Sequence, residues 1–315
     1  MTIGRVVACW DGAMRVLVTG TTGYVGRVVL AELSVAGHTP IPFSGDVRSP
    51  DGLDGLGDVD AVVHLAALAR VRESFDDPVR YYDVNVGGTV NLLRSPPPRF
   101  VLASTAGMYG AVSGGGVIDE DCPRAPSNPY AASKAAAEDV LAWAAAAGRV
   151  SAVALRLFNV AGGGDRDDTR VITRACGVAA GRLPPMEVFG DGSAVRDFVH
   201  VRDVARAFVT AVECGGEGYQ ALNVGATPAG VADVLASVER VTGRPVSVVR
   251  RPAHPGEVRE QRADTTRLRA LGWRPTCSDL DTLVRDQWAA EAGDSGPSAG
   301  SERLRKGPRQ GEPLQ

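Results

Sequence analysis

Tyr130 and Lys134 stand four residues apart in Asn128-Pro129-Tyr130-Ala131-Ala132-Ser133-Lys134, a spacing that puts both side chains on one face of a helix. A phenol of ordinary pKa, about 10, is a poor base at neutral pH. A neighbouring ammonium and a helix N-terminus both favour the phenolate, which can then take the proton of an alcohol. A Tyr/Lys pair is more often a surface lysine beside a packing tyrosine. In this chain, however, 32 of the 34 basic residues are arginine and only Lys134 and Lys306 are lysine, so a lysine here calls for a reason.

Two further segments share that chemistry. Ser104-Thr105-Ala106-Gly107-Met108-Tyr109-Gly110 follows an apolar run at 99–103, and a hydroxyl at the carboxyl end of a parallel strand sits where open α/β sheets bind ligands. Thr105 is then placed to hydrogen-bond the reacting oxygen, although Ser and Thr at strand ends more often cap turns. Thr19-Gly20-Thr21-Thr22-Gly23-Tyr24-Val25-Gly26 follows a short buried-strand pattern and opens a helix, the context of a dinucleotide fingerprint. Gly20 permits the tight turn, Gly23 lets backbone amides approach a pyrophosphate, and Gly26 lets helix and strand pack closely, with Tyr24 and Val25 opening the helix between them. A nicotinamide ring carried there would add a positive charge favouring the Tyr130 phenolate. In a chain with 38 glycines, the turn by itself also reads as punctuation.

The elements that must position these residues alternate: strand-like runs at 15–19, 39–43, 61–65, 99–103 and 151–157, helical patterns at 24–36, 79–93 and 129–147. This implies right-handed βαβ units and a Rossmann-like, doubly wound parallel α/β sheet. Asn128 reads as the N-cap of the third helix, Pro129 as its first position and Gly148 as the residue past its end. From about residue 160 the pattern is less regular, with loops around 162–168 and 183–193, helices near 201–213 and 229–242, and a strand near 246–250. The expected organisation is an extension over 1–13, a nucleotide-binding domain over 14–160 to which some later segments return, a smaller carboxyl-terminal substrate lobe over 161–292, and a tail over 293–315. The tail has too few apolar residues to offset its ordering entropy and is expected to be disordered.

Composition narrows the classes. The 315 residues are 44% hydrophobic and 23% charged with a formal net charge of -3, enough for a sizeable core and without the basic footprint of a nucleic-acid binder. No apolar run approaches the roughly 20 residues of a membrane span. Five cysteines form neither a CxxC pair nor a ligand-spaced Cys/His cluster, so a cytoplasmic protein with no metal site and no disulfide framework is expected.

With these motifs the chain resembles the extended short-chain dehydrogenase/reductase superfamily and, within it, the NAD-dependent sugar-nucleotide epimerases and dehydratases, most of all the UDP-glucose 4-epimerases. The blocks are TGTTGYVG (19–26), in the GxxGxxG form, VVHLAAL (62–68), YYDVNVGGT (81–89), STAGMYG (104–110), YAASK (130–134), LRLFNVAG (155–162), VFGDGSAVRDFVHVRDVA (188–205), LNVGA (222–226), PGEV (255–258) and ADTTRLRALGW (263–273). The resemblance implies NAD as cofactor, with NADP as the alternative, and a nucleotide-diphosphate sugar as substrate, epimerised at C4 by removal and return of hydride. It implies Tyr130 as base, Lys134 as ligand of the cofactor ribose and Thr105 as the residue orienting the hydroxyl. Leu65, Ala66 and Ala67 would line the dinucleotide, Asn85 would meet it on the next strand, and Phe158 would lie near the nicotinamide. Asn159 and Arg196 match positions that hold the diphosphate, and Glu257 one that meets the nucleoside ribose. Related dehydratases and decarboxylases carry acids just after the strand-end hydroxyl, where this chain has Ala106 and Gly107, so epimerisation fits best. The alternatives are a sugar-nucleotide reductase or dehydrogenase that exchanges its cofactor, and a catalytically silent NAD(P)-binding interaction protein.

Four departures from the family bear on function. Pro42-Phe43-Ser44 leads almost directly into Gly45-Asp46-Val47-Arg48, where the family has an acid, a loop and a third strand. Asp46 is either the ribose acid, about 20 residues past the glycine turn, or, as preferred here, the adenine-side residue next to Val47, with Ser44 in place of the acid. Ser95-Pro96-Pro97-Pro98 cuts short a helix that the family uses for its homodimer, which leaves dimerisation open. The phosphate-binding arginine expected before Pro255 falls on His254, with Arg250 and Arg251 as substitutes. Arg170 and Gln261 stand at positions that bound the sugar pocket, so the sugar is not inherited from the resemblance.

Overall fold

The computed structural model describes residues 10, 12–49, 59–110, 116–252 and 260–294. The chain runs through β1 (Arg15–Thr19), α1 (Tyr24–Val35), β2 (Thr39–Pro42), β3 (Ala61–His64), α2 (Val71–Asp76), α3 (Pro78–Tyr82), a π-helical turn (Asp83–Gly87) and α4 (Gly88–Leu92). It continues through β4 (Arg99–Thr105), a 3-10 turn (Ala106–Tyr109), β5 (Val117–Ile118), α5 (Pro129–Ala146), β6 (Ser151–Leu157), β7 (Asn159–Ala161), α6 (Val171–Ala179), β8 (Met186–Phe189) and β9 (Val195–His200). It ends with α7 (Val201–Cys214), β10 (Tyr219–Val224), β11 (Thr227–Gly230), α8 (Val231–Thr242), β12 (Val248–Arg251), β13 (Arg262–Ala263), α9 (Thr266–Ala270) and α10 (Leu280–Asp294).

Six strands form an all-parallel sheet in the order β10-β6-β4-β3-β1-β2. The order reverses at β1 and β3, and the crevice outside their carboxyl ends is where such sheets take a dinucleotide. Alternate residues face opposite sides, as the pleat requires. Val16, Val18, Val63, Val101 and Leu155 pack with Val29 and Leu33 of α1 and Phe208 and Val212 of α7. Leu17, Val62, Phe100 and Leu102 pack with Leu92 of α4 and Ala137 and Leu141 of α5. Leu268 and Trp273 lie in the first of these cores, so α7, β10 and the α9 region, all late in sequence, belong with the sheet. A separate core joins α6, α8 and α10 through Ile172, Cys176, Val234, Val238, Leu283 and Val284, with β8, β9 and β11 at its side.

The sheet ends at β2, and no third strand follows it among the described residues. The amides of Thr39 and Phe43 bond inward, to Met14 and Val18, so the outward-facing positions of β2 are Pro40 and Pro42. Neither has an N–H to offer, and proline on an outer edge stops a further strand from pairing.

Other expectations shift. The helix anticipated over 79–93 is three consecutive pieces, α3, the π-helical turn and α4, and α2, α6 and α10 are additional. Residues 293 and 294 belong to α10 rather than to a disordered tail; the remainder of that tail, like residues 1–9 and 11, lies outside the described residues. Cys122, Cys176 and Cys277 are free thiols, and Cys214 is disulfide-bonded. No helix among the described residues is long and apolar enough to cross a membrane.

Candidate active site

The glycine turn has the backbone its sequence requires. Gly20 has φ +68, and a Cβ there would lie 2.6 Å from the Ala66 nitrogen. A Cβ on Gly26 would lie 2.2 Å from the Gly20 oxygen, so only glycine lets α1 approach the end of β1. The facing wall is fixed by Thr19. Its hydroxyl oxygen accepts from the amides of Leu65 and Ala66, both at 3.1 Å, and lies 2.8 Å from His64 Nδ1. With both lone pairs used, the hydroxyl must donate to His64, which is therefore neutral with its proton on Nε2. Burial, helped by Lys134, pushes the His64 pKa down to about 3, in keeping with a neutral ring.

Across the crevice, α5 presents the reacting side chains. Asn128 caps it by accepting from the Ala131 amide at 2.9 Å, with Pro129 in the first turn. Tyr130 and Lys134 follow on one face, and Lys134 is 2% exposed. Burial lowers its pKa to about 8, opposed by Glu138 one turn on. Glu138 is itself held by Arg156, whose Nη2 lies 2.8 Å from it, and by the Tyr219 hydroxyl at 2.9 Å. Burial raises the Tyr130 pKa, while a hydrogen bond from Thr105 and the charge of Arg170 act the other way. Desolvation outweighs both, and the Lys134 ammonium and helix terminus expected to lower this phenol are not among the influences that shift it. Thr105 caps the 3-10 turn, its hydroxyl accepting from the Gly107 amide at 3.1 Å, and it is close enough to Tyr130 to act on its phenol.

One cavity of about 620 Å³, within the range of small-molecule sites, collects these groups. Gly20, Gly23, Tyr24, Val25, Gly26, Leu65, Ala67, Thr105, Tyr130, Lys134, Phe158, Asn159 and Arg196 all line it. Asn159 and Arg196 come from the facing strands β7 and β9. Asn159 Nδ2 donates to the Asp197 carbonyl at 3.1 Å, and Arg196 Nη1 to that of Val195 at 2.9 Å.

Four assigned residues stand elsewhere. Ala66 lies behind Gly20, its amide bonded to Thr19. Asn85 is in the π-helical turn rather than on a strand, fully buried; it exchanges two hydrogen bonds with the Leu68 backbone and donates to the Ser133 hydroxyl at 2.9 Å. It therefore braces the loop after β3 against α5 instead of lining the cavity. Val47 packs its side chain in the core under Gly88, leaving only its main chain for a ligand. Asp46 is exposed and bonded to Arg48 through both carboxylate oxygens. Arg250 and Arg251 lie on β12, the latter paired with Glu187 at 2.7 Å, and neither lines the cavity. His254 and Glu257 lie outside the described residues. Arg170, noted only as a pocket-bounding position, does line the cavity. The sequence reading missed His64 and Thr19, whose signal is the polar pair at the ends of two adjacent apolar strands.

A nicotinamide dinucleotide fits these residues. The glycine cradle leaves no room for a Cβ at Gly20 or Gly26, and Ser104, on the cavity wall, has a buried hydroxyl with no hydrogen-bond partner, which a polar ligand would satisfy.

Comparison with known proteins agrees with this geometry. Residues 16–225 match the NAD dependent epimerase/dehydratase family. The UDP-glucose 4-epimerase of Azospirillum brasilense is 36% identical, the match covering 90% of this chain and 97% of that one; that of Lacticaseibacillus casei is 30% identical over 87% and 96%. The crystal structure of UDP-glucose 4-epimerase from Brucella ovis in complex with NAD superposes with a TM-score of 0.83 at 34% identity, covering 88% of this chain and 98% of that one. A glycine cradle at the β1/β3 reversal, a Thr/Tyr/Lys set above it and a match over two thirds of the length have one explanation: the chain belongs to the NAD dependent epimerase/dehydratase family.

Proposed function

We propose that this protein is an NAD-dependent, cytoplasmic epimerase acting at C4 of a nucleotide-diphosphate sugar of the UDP-glucose/UDP-galactose type. The observation that carries the reading is that one cavity joins the glycine cradle to Thr105, Tyr130 and Lys134 and to Asn159 and Arg196. Relatives named UDP-glucose 4-epimerase support the sugar and the nucleotide.

When bound, NAD supplies a hydride acceptor that returns the hydride to the same carbon. Gly20, Gly23 and Gly26 would hold its pyrophosphate at the start of α1, and Lys134 its nicotinamide ribose. Thr105 would orient the sugar's 4-hydroxyl toward Tyr130, whose oxygen, ionised only when the positive nicotinamide ring offsets the cost of its burial, would remove the proton as the C4–H bond breaks. The same phenol returns the proton when the C4–H bond re-forms on the opposite face, so protons and electrons balance without a net redox change. Asn159 and Arg196 would hold the diphosphate, the guanidinium fork suiting its oxygens, and leave the sugar free to turn over between them and Tyr130. Ala106 and Gly107 offer no acid for chemistry at neighbouring carbons.

The test is mass spectrometry of small molecules released from the purified protein, followed by a panel of sugar nucleotides with NAD and with NADPH. Interconversion of UDP-glucose and UDP-galactose without net formation of NADH is expected. Stoichiometric consumption of NADPH would assign a reductase instead, and absence of turnover on the whole panel would leave a silent binding protein.

A further inference from the structure

We propose that Tyr24 is a positioning residue that ties the cofactor-binding turn to the loop Gly162–Arg170, so that dinucleotide and nucleotide sugar bind with positive coupling. The inference rests on the function proposed above. Tyr24 is the first residue of α1, immediately after Gly23. Its hydroxyl donates to the carbonyl of Gly162, at the start of that loop. The Arg170 guanidinium lies over its ring, 5.9 Å from the centroid, and both Tyr24 and Arg170 line the cavity. Burial, with Asp165 adding to it, pushes the Tyr24 phenol far above its ordinary range, so the hydroxyl stays a donor throughout the working pH range.

On its other side the loop is anchored to the lobe. Gly162 has φ +89 and lies so close to the His200 ring that a Cβ would come within 2.4 Å of it. His200 Nε2 is 3.0 Å from Asp286 on α10, and its Nδ1 accepts from the Arg202 amide at 3.0 Å. Gln287, also on α10, donates to the Asp165 carbonyl at 2.9 Å, and Arg170 pairs with the Asp165 carboxylate at 3.2 Å. The loop therefore moves with β9 and α10, and with Arg196, while Tyr24 moves with the glycine turn. A ligand that fixes the turn fixes the hydroxyl and, through it, the loop, so the second ligand meets a wall already in place. By linkage the effect is reciprocal. Packing alone would be served by phenylalanine; the buried carbonyl of Gly162 is what requires the hydroxyl.

The experiment measures NAD affinity of the cofactor-stripped full chain by calorimetry, with and without saturating UDP. In the wild type, UDP should tighten NAD by about fivefold or more, the lower end of ordinary coupling. In Tyr24→Phe, checked for folding by its melting curve, that ratio should fall below about twofold, and KM for UDP-glucose should rise by a larger factor than kcat falls. Arg170→Gln, which loosens the same loop from the far side, should also lower the ratio. A ratio of one in the wild type, or an undiminished ratio in both variants, would overturn the proposal. If wild-type protein binds neither NAD nor UDP, the functional reading fails and takes this inference with it; if both bind without coupling, this inference alone fails.

Discussion

The two ends of the cavity are built differently. At the reacting end most polar groups are specified by buried contacts: Thr19 with His64, Asn85 with Ser133, Glu138 with Arg156, Thr105 beside Tyr130. At the adenosine end, β2 stops on an edge blunted by Pro40 and Pro42, and Ser44–Arg48 is mostly exposed, with Asp46 and Arg48 neutralising each other. Proton and hydride transfer tolerate no displacement of the reacting atoms, because misplacement by an ångström costs orders of magnitude in rate. Affinity for a cofactor is a sum over many contacts, so one end can be shortened and the rest still bind.

The largest effect that would break this contrast belongs to Tyr130. Tyr130→Phe should lower turnover by about 10²–10⁴-fold, the usual worth of a positioned acid–base group, with NAD affinity by calorimetry changed far less. A Phe variant with near-normal turnover would remove the reacting end from the argument.

Lys134→Met should separate function from stability. Its folded pKa, about 8, lies below the ordinary 10.5, so the unfolded chain binds the proton more tightly and the charged, buried lysine costs stability at pH 7. The cost is about 3 kcal/mol by linkage, and it fades as pH rises from 8 through 10.5. The Met variant should therefore melt higher than wild type at pH 7 when both are cofactor-free, while losing turnover and NAD retention. A variant that is both less stable and unchanged in NAD affinity would make Lys134 a packing residue.

Much of this arrangement was legible in the chain. The Tyr130/Lys134 spacing, the Asn128 and Pro129 start of α5 and the three glycines of the turn are local signals, set by helix and turn geometry within a few residues. What stayed hidden depends on partners far apart in sequence. Asn85 looked like a cofactor contact because spacing cannot show that its amide is satisfied by Leu68 and Ser133. His64 looked like one more residue of an apolar strand until Thr19, 45 positions earlier, was beside it. That no third strand follows β2 among the described residues was visible as a short connection, but its reason, two prolines aimed outward, needs the register of β2 on β1.

His64 supplies a smaller and sharper test of the reacting end. Its folded pKa, about 3, lies below the ordinary 6.5, so between those values the unfolded chain holds the extra proton. Stability should be fully present above pH 6.5 and fall as pH drops toward 3, by at most about 1.4 kcal/mol per pH unit from this group. His64→Gln should flatten the part of the slope near pH 5–6, as followed by urea unfolding. An unchanged slope would place the proton uptake elsewhere and remove His64 as a buried neutral ring.

The smallest expected effect belongs to the adenosine end. The Arg48 guanidinium holds the Asp46 carboxyl down to about 2, so Asp46 is charged at every working pH, yet its charge is matched: Arg48 grips both its oxygens and also lies 3.6 Å from Asp83. To bind a ribose diol, Asp46 must share oxygens already engaged, and with its charge offset it repels a 2′-phosphate only weakly. Ser44, at the end of β2, carries no charge to do so in its place. NAD should therefore be retained only in part on purification, added NAD should stimulate activity, and preference for NAD over NADP should be below about tenfold, since discrimination needs a repulsive element that this end lacks. Calorimetric titration of cofactor-stripped protein with each dinucleotide should show Asp46→Ala altering NAD affinity by less than about threefold, under 1 kcal/mol. If wild type instead selects NAD strongly and Asp46→Ala abolishes that selection, Asp46 is the ribose acid, Arg48 releases it on binding, and the two ends of the cavity are equally well made.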